Sequence, residues 1–462
     1  MPDLLKNVLN NPVISQITDL LDQGSFLVGG SLRDLQKGLV PADIDLVVFS
    51  NVWRTAQRIA RSFGASAFWM DDARGMARIA PKGSSIKIDC AAPRGLTIDE
   101  DLSKRDITIN AMAFDLGKQT LVDPLGGMRD LEEGRIRIIS ENSLVDDPLR
   151  ILRCMRFALR FGFFIDRKSQ GLLRSAGPLI SEVSGERIRQ EIIGALMLPD
   201  GADIFSLMDS YGLLTILFPD YVEMDQGRHH KWGLIEHVIR CAREVEGVLA
   251  RSEQWLPGVG GYFAEQTEKG VSRGALLKLA AFVHDIGKPS SRSVDDKGDI
   301  HFYGHEKTGA VIAGSIMQKL RFAQASRRVV TGVTGQHMRV LGLCGQGSMM
   351  TTCSMYRLIR DTQGYLPEVL CLSLADVYAT GTGVDQVERA VSKIWRYYTE
   401  TFCAQARDPL VSGRDLIDCL GMEPGPKLGR CLKMVEEKRA QGLLHSRADA
   451  LAFIRQQETD PS

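Results

Sequence analysis

Asp43 and Asp45 stand two apart in the run Asp-Ile-Asp-Leu-Val-Val at 43–48, which alternates acid and apolar before turning fully apolar. The pattern predicts a strand with one end at a surface, and its two-residue period sends both carboxylates to one face. Paired carboxylates repel unless a cation lies between them. A hard divalent ion such as Mg²⁺ prefers oxygen ligands and leaves room for substrate phosphates. By itself such a pair also describes a solvated strand end. Ahead of it, a short apolar strand Phe26–Val28 runs into Gly29, Gly30, Ser31, Arg33 and Asp34. A glycine turn leading into a helix presents backbone amides that suit a triphosphate, and Ser31 is expected to cap that helix. Asp89, closing the run Ile86–Lys87–Ile88–Asp89, reads either as a third carboxylate on a neighbouring strand or as one half of a salt bridge.

The elements around these residues divide the chain by texture. Residues 1 to about 24 carry Leu4, Val8, Val13, Ile17 and Leu20 near helical spacing and predict one amphipathic helix. Further strands are expected at 67–70, 76–80, 86–90, 111–115 and 135–139. From Asp146 onward the reading is almost wholly helical, with a Gly-rich connection at 257–262, a helical block from about 274 to 400, and a tail from Asp408 holding Pro424–Gly425–Pro426–Lys427 between two helical stretches. Between Arg150 and Gln190 nine Lys or Arg face three acids, and Arg153, Arg156 and Arg160 recur along one helix side. A solvated helix face is the bland reading of that stripe; a phosphate-binding surface is the other.

Bulk composition narrows the class. The chain has 462 residues, long enough for two to four domains, with 57 basic and 57 acidic side chains, so any nucleic-acid surface must be local. Nine scattered cysteines without a C-x-x-C pair suggest neither a disulfide framework nor a zinc ribbon, and fit buried thiols in a reducing cytoplasm. The start, MPDLLKNVLNNPV, lacks a basic stretch before an apolar core, and no run of 18 apolar residues follows. Secretion and membrane insertion are not expected. Oligomeric state leaves no signal.

GGSLRD followed by DIDLVV resembles the head of the class II tRNA nucleotidyltransferase and poly(A) polymerase family, within the polymerase-β-type nucleotidyltransferases. Four further motifs agree in order: Lys104–Arg105–Asp106 with Asn110, where the family has Arg first; DPLGGMRDLEEGRIR at 123–137; DDPLRILRCMRF at 146–157; and GERIRQEI with Glu186, Arg187 and Glu191. The resemblance implies that Asp43 and Asp45 hold Mg²⁺ on an incoming triphosphate and an RNA 3′-hydroxyl. Gly29, Gly30, Ser31, Arg33, Arg105, Asp106 and Asn110 would surround ribose and triphosphate. Asp147 and Arg150, three apart on a helix, would face the Watson–Crick edge of the nucleotide, with Arg donating and ionised Asp accepting. Asp146 stands where the family usually has Glu, which bears on how that pair is held. Arg153, Arg156 and Arg160 would meet triphosphate and RNA backbone.

FVHDIGKP and FYGHEKTGA are similar to stretches of the HD phosphohydrolase superfamily. That resemblance implies a ligand set of His237, His284, Asp285, His305, His337 and Asp376. Imidazole and carboxylate suit a softer divalent ion such as Mn²⁺, Ni²⁺ or Co²⁺. Adjacent His and Asp share a site only if the helix ends between them, which Gly287 and Pro289 allow. His229, His230, His301 and His445 are read as bystanders. The tail, PLVSGRDLIDCLGMEPGPKLGRCL, resembles a tRNA-contacting tail in which Gly425 and Gly429 either let backbone approach RNA or form a turn between helices.

The resulting expectation is an α/β nucleotidyltransferase head with a polymerase-β-like mixed sheet (1–145), followed by an all-α neck (146–225), HD domain (226–405) and tail (406–462). Its partners would be the tRNA 3′ end, CTP and ATP, with addition of CCA, CC only or A only. A poly(A) polymerase on the same scaffold, and an HD phosphohydrolase whose head merely binds RNA, are the alternatives. A 2′,3′-cyclic or terminal phosphate on RNA would suit the HD module.

Overall fold

The computed structural model describes all residues except 1, 42, 82–85, 222–232, 345–349 and 460–462. The chain folds into two compact units, Met1–Ala195 with Leu207–Leu217, and Leu196–Ser206 with Phe218–Ser462.

The first unit opens with two helices, not one. α1 (Pro2–Leu9) and α2 (Pro12–Thr18) are separated because Asn11 accepts from the amides of Val13 and Ile14 and so restarts the helix, with Pro12 in its first turn. A seven-stranded mixed sheet follows, in the order β3-β4-β5-β2-β1-β6-β7. Its strands are β1 (Ser25–Val28), β2 (Asp43–Val48), β3 (Ala67–Asp71), β4 (Met76–Ile79), β5 (Lys87–Ala91), β6 (Ala113–Asp115) and β7 (Thr120–Val122). Within this sheet, among the described residues, only β2 and β5 pair in parallel. α3 (Gly30–Gln36) follows β1, and α4 (Val52–Ser62) buries Val52, Ala56, Ile59 and Ala60 against the sheet. Two expectations are corrected here, and one strand is new. The stretch 111–115 is a short strand preceded by a 3₁₀ turn at Thr108–Asn110. β7 was not anticipated, because three residues are too few to show a period. Arg135–Ile136 (β8) leaves the main sheet and pairs in parallel with Phe164–Ile165 (β9).

Four helices complete this part of the unit. α5 (Ile98–Ser103) precedes the 3₁₀ turn, α6 (Gly127–Glu132) precedes β8, and α7 (Glu141–Asp146) leads to α8 (Arg150–Phe161), whose buried side carries Ile151, Leu152, Cys154, Met155 and Phe157. The second unit is built on helices Leu234–Ala250, Arg273–Val283, His305–Lys319, Gln324–Gln336 and Leu366–Thr380. Two small ribbons, 266–268 with 271–272 and 293–294 with 300–301, interrupt the segment 226–405 that was expected to be all helical. The tail has three helices, Gly413–Leu420, Pro426–Ala440 and Arg447–Thr459, around a core of its own that includes Leu416, Val435, Ala450 and Ile454.

Candidate functional site

In the β2–β5 ladder Asp45 lies opposite Asp89, and Asp43 opposite Lys87. Ladder partners share a face, so Asp43, Asp45 and Asp89 stand together on one side of the sheet. Burial, then the neighbouring Asp89 and Asp43, push the Asp45 carboxyl up to about 6 against the pull of Arg105. A site that makes a carboxylate this reluctant to ionise fits a divalent cation, which would relieve the repulsion. Asp89 stands opposite Asp45 on the neighbouring strand, and its two oxygens each accept from Arg78 on β4 at 2.7 Å, which is the salt bridge of its second reading.

The glycine turn is tied to this strand. Ser31 does not cap α3; its buried hydroxyl donates to the Asp43 carbonyl at 3.0 Å and accepts the Asp45 N–H at 2.9 Å. The helix is entered through Gly29 at φ +70°, where a Cβ would lie 3.0 Å from the Arg105 guanidinium and 3.4 Å from an Asp45 oxygen. Arg33 is buried, donating to Asp34 at 2.8 and 3.0 Å, bonding Asn110, and lying 4.7 Å above the Phe161 ring. Arg105 donates to Asp101 at 2.9 and 3.0 Å. Asp106 pairs with Arg153 at 2.9 Å; burial alone would raise its carboxyl, but Arg153, the Ile107 N–H and Asn110 hold it low. Arg156 donates to Glu191 at 2.6 Å, and Arg160 stands 3.6 Å from Asp34.

Gly29, Gly30, Arg33, Arg105, Asn110, Arg153, Arg156 and Arg160 line a cavity of about 320 Å³ whose wall carries seven arginines in all against Asp45, Asp106 and Asp147. Such a surplus of guanidinium suits a polyanion of triphosphate size. Arg94, Arg105, Asp147 and Arg150 also line an adjoining cavity of about 1070 Å³ that runs over Val47, Met76 and Ala91 to Arg187. Exposed Asp146 borders this second space.

One geometric expectation is corrected. Asp147 and Arg150 do not share a helix: α7 ends at Asp146, Asp147 is extended at φ −152°, ψ 94°, and α8 begins at Arg150. Pro148 is the cause, since the residue before a proline is driven out of the helical region. Asp147 accepts from Arg187 at 2.8 Å, while Arg150 donates to the carbonyls of Lys104, Arg105 and Ser143 at 2.8–3.1 Å. Sequence reasoning missed Arg94, Asp101, Arg78 and Phe157. For Asp101 a signal existed, an acid four residues ahead of Arg105; Arg94 and Arg78 had none.

In the second unit the six residues of the HD-type set converge. His237 Nε2 lies 3.2 Å from Asp376 and 3.6 Å from Asp285 Oδ2, and His284 Nε2 lies 3.3 Å from that same oxygen. Asp285 Oδ1 faces His305 and His337 at 3.3 and 3.6 Å. Nδ1 of His284, His305 and His337 each meets the carbonyl three residues back, at 2.7–2.8 Å, which fixes the tautomer and turns Nε2 inward. His284 and Asp285 reach one site because the helix ends at Val283. Gly287 permits the next helix to approach, as a Cβ there would lie 2.2 Å from the His305 carbonyl. Although burial opposes it, His284 and Lys288 hold the Asp285 carboxyl well below the usual range. One carboxylate bridging two imidazole pairs can serve one or two metal ions.

Of the remaining histidines, His301 bonds Asp295 at 2.9 Å, His445 is in the tail, and His229 and His230 fall outside the described residues. Gly425 and Gly429 both have open space where a Cβ would be, and Pro426 starts the following helix. All nine cysteines are free thiols, and among the described residues no helix is long and apolar enough to cross a membrane.

Three family models match in succession: "Poly A polymerase head domain" over residues 25–137, "Probable RNA and SrmB-binding site of polymerase A" over 162–224, and "HD domain" over 235–381. The chain is 33% identical to an A-adding tRNA nucleotidyltransferase of Halalkalibacterium halodurans, across 98% of this chain and 95% of that one. It is 28% identical to a CC-adding tRNA nucleotidyltransferase of Geobacter sulfurreducens, across 100% and 99%. A Thermotoga maritima CCA-adding enzyme complexed with tRNA shares the fold at a TM-score of 0.67, with 23% identity and 99% and 98% coverage. A mixed sheet bearing paired carboxylates beside an arginine-walled cavity is the head of a nucleotidyltransferase. This chain belongs to the tRNA nucleotidyltransferase family.

Proposed function

We propose that the protein extends the 3′ end of tRNA without a nucleic-acid template, using CTP, ATP or both and releasing pyrophosphate. The observation that carries this is the three-carboxylate face of β2 and β5 abutting the arginine-walled cavity. In this reading Asp43 and Asp45 hold Mg²⁺, with Asp89 behind them. The ion would lower the pKa of the RNA 3′-hydroxyl and neutralise charge on the transferring phosphoryl group. Gly29, Gly30, Arg33, Arg153, Arg156 and Arg160 receive the triphosphate. Arg105, Asp106 and Asn110 hold the ribose side, with Ser31 keeping the glycine turn against the acidic strand. Asp147 and Arg150, at the junction of the two cavities, read the base edge. The functional parts are the head 1–145, neck 146–225, HD domain 226–405 and tail 406–462, and free thiols support a reducing, cytoplasmic setting.

The convergence of six ligands in the second unit supports a further activity: metal-dependent hydrolysis of a 2′,3′-cyclic or terminal phosphate, with Mn²⁺, Ni²⁺ or Co²⁺ in the site.

The deciding experiment is primer extension on tRNAs ending at the discriminator base, C or CC, with each NTP singly and together. Addition that stops at a defined length on one of these ends is expected. Equal extension of unrelated RNA by A would instead show a poly(A) polymerase, and no extension of any end would refute transfer.

A further inference from the structure

We infer that Phe68, on the edge strand of the head sheet, is a stacking platform for one of the last bases of the RNA acceptor end. The inference rests on the nucleotide-transfer reading above and adds a positioning residue to it.

Four registered residues form one row across four strands. Asp45 on β2 lies opposite Asp89 on β5, Asp89 opposite Arg78 on β4, and Arg78 opposite Phe68 on β3. Because ladder partners share a face, Phe68 is on the carboxylate face of the sheet. Its neighbour Trp69 goes to the other face, where it stacks on Trp53 of α4 at 4.8 Å. Phe68 is 48% exposed in a row otherwise made of charged groups.

Sheet order then says what approaches from this side. In-line transfer needs the attacking hydroxyl and the leaving pyrophosphate on opposite sides of the reacting phosphorus. The glycine turn and its arginines follow β1, which borders β2 on one side; β5, β4 and β3 lie on the other. With the triphosphate on the β1 side, the 3′-hydroxyl must enter from the side of Asp89, Arg78 and Phe68. Arg78 is committed to Asp89 through both carboxylate oxygens, so it sets the floor of the row and does not compete for phosphate. Exposed Lys87, opposite Asp43 one step along, supplies a cation for the RNA backbone. Three strand spacings, about 14 Å, separate Asp45 from Phe68. A chain end whose hydroxyl sits at Asp45 can therefore lay a nearby base on the ring. Stacking accepts any base, which suits an acceptor end whose last residue changes with each addition.

The test uses the full chain with Phe68→Ala, Phe68→Leu and Phe68→Tyr, each checked for an unchanged melting temperature. Single-nucleotide addition should show KM for tRNA raised about tenfold in the Ala and Leu variants, with KM for the nucleotide unchanged and Tyr restoring the wild-type value. A second readout needs no turnover: 2-aminopurine in either of the last two positions of the tRNA should be quenched by wild-type protein and much less by Phe68→Ala. Unchanged KM for tRNA with unchanged quenching overturns the inference, as does full rescue by Leu, which would mean packing without stacking. If wild type quenches the probe in a Phe68-dependent way yet adds no nucleotide, the platform stands and the transfer reading fails.

Discussion

Arg187 holds Asp147 by a 2.8 Å bond across forty residues of chain, while Arg150, only three residues from Asp147, bonds instead to three backbone carbonyls. The two proposed base-reading side chains are thus positioned by separate elements. Each can be perturbed without the other.

Arg150→Ala should lower discrimination among NTPs roughly tenfold or more, the range of one well-placed base contact, with little change in RNA affinity. Competition between CTP and ATP in a single reaction measures it. An equal fall in all rates with selectivity intact would show that Arg150 only braces the Lys104–Arg105 backbone. Arg187→Ala, which breaks a half-exposed pair worth about 1 kcal/mol or less, should blur selectivity by a fewfold at most.

Acidity should act through Asp45. Burial and the neighbouring Asp89 push its carboxyl up to about 6 in the folded chain, above the ordinary carboxylate range of roughly 4 in the unfolded one. Between those values the unfolded chain is ionised and the folded one is protonated, so stability falls as pH rises through this window. Above it the ionised group remains strained until a cation compensates. The rise in melting temperature on adding Mg²⁺ should therefore be larger near about pH 7.5 than near about pH 5. Asp45→Asn should flatten the difference. Thermal shift at the two pH values, with and without Mg²⁺, provides the check.

Gly29→Ala combines a left-handed backbone at φ +70° with a methyl 3.0 Å from the Arg105 guanidinium. It should cost about 1–2 kcal/mol of stability and weaken nucleotide binding by displacing Arg105. Gly38 is a control, since its φ is also +70° but nothing lies within 4 Å of the added methyl. Gly38→Ala should show the strain without the binding loss, seen by comparing melting temperature with KM for nucleotide.

Asp285→Ala should abolish Mn²⁺-, Ni²⁺- or Co²⁺-dependent phosphohydrolysis and leave nucleotide addition intact. Asp45→Ala should do the reverse, with a loss of at least roughly a hundredfold. Both proteins must melt cooperatively for the comparison to count. Loss of nucleotide addition in folded Asp285→Ala would mean that the two centres are coupled.

Much was legible because chemistry and period coincide locally. The alternation at 43–48 required the two acids to share a face, and the order of glycine turn, acidic strand and arginine-rich helix marked the head without any coordinates. The HD-type ligand set was legible only through the resemblance of FVHDIGKP and FYGHEKTGA to that superfamily, since a histidine beside an acid also occurs as an ordinary pair, as at His301 and Asp295. What stayed hidden was partnership over long separation. Nothing local says that Arg78 will take both oxygens of Asp89, that Asp106 will pair with Arg153, or that Asp101 will hold Arg105 beneath the glycine turn. Residue type and local spacing mark which groups can do chemistry, because hydropathy period and backbone chirality act within a few residues. Packing settles which of them line the cavity and which brace a neighbour. That choice follows from sheet order and ladder register, which bring together residues tens of positions apart and leave buried charges no stable arrangement except with a partner.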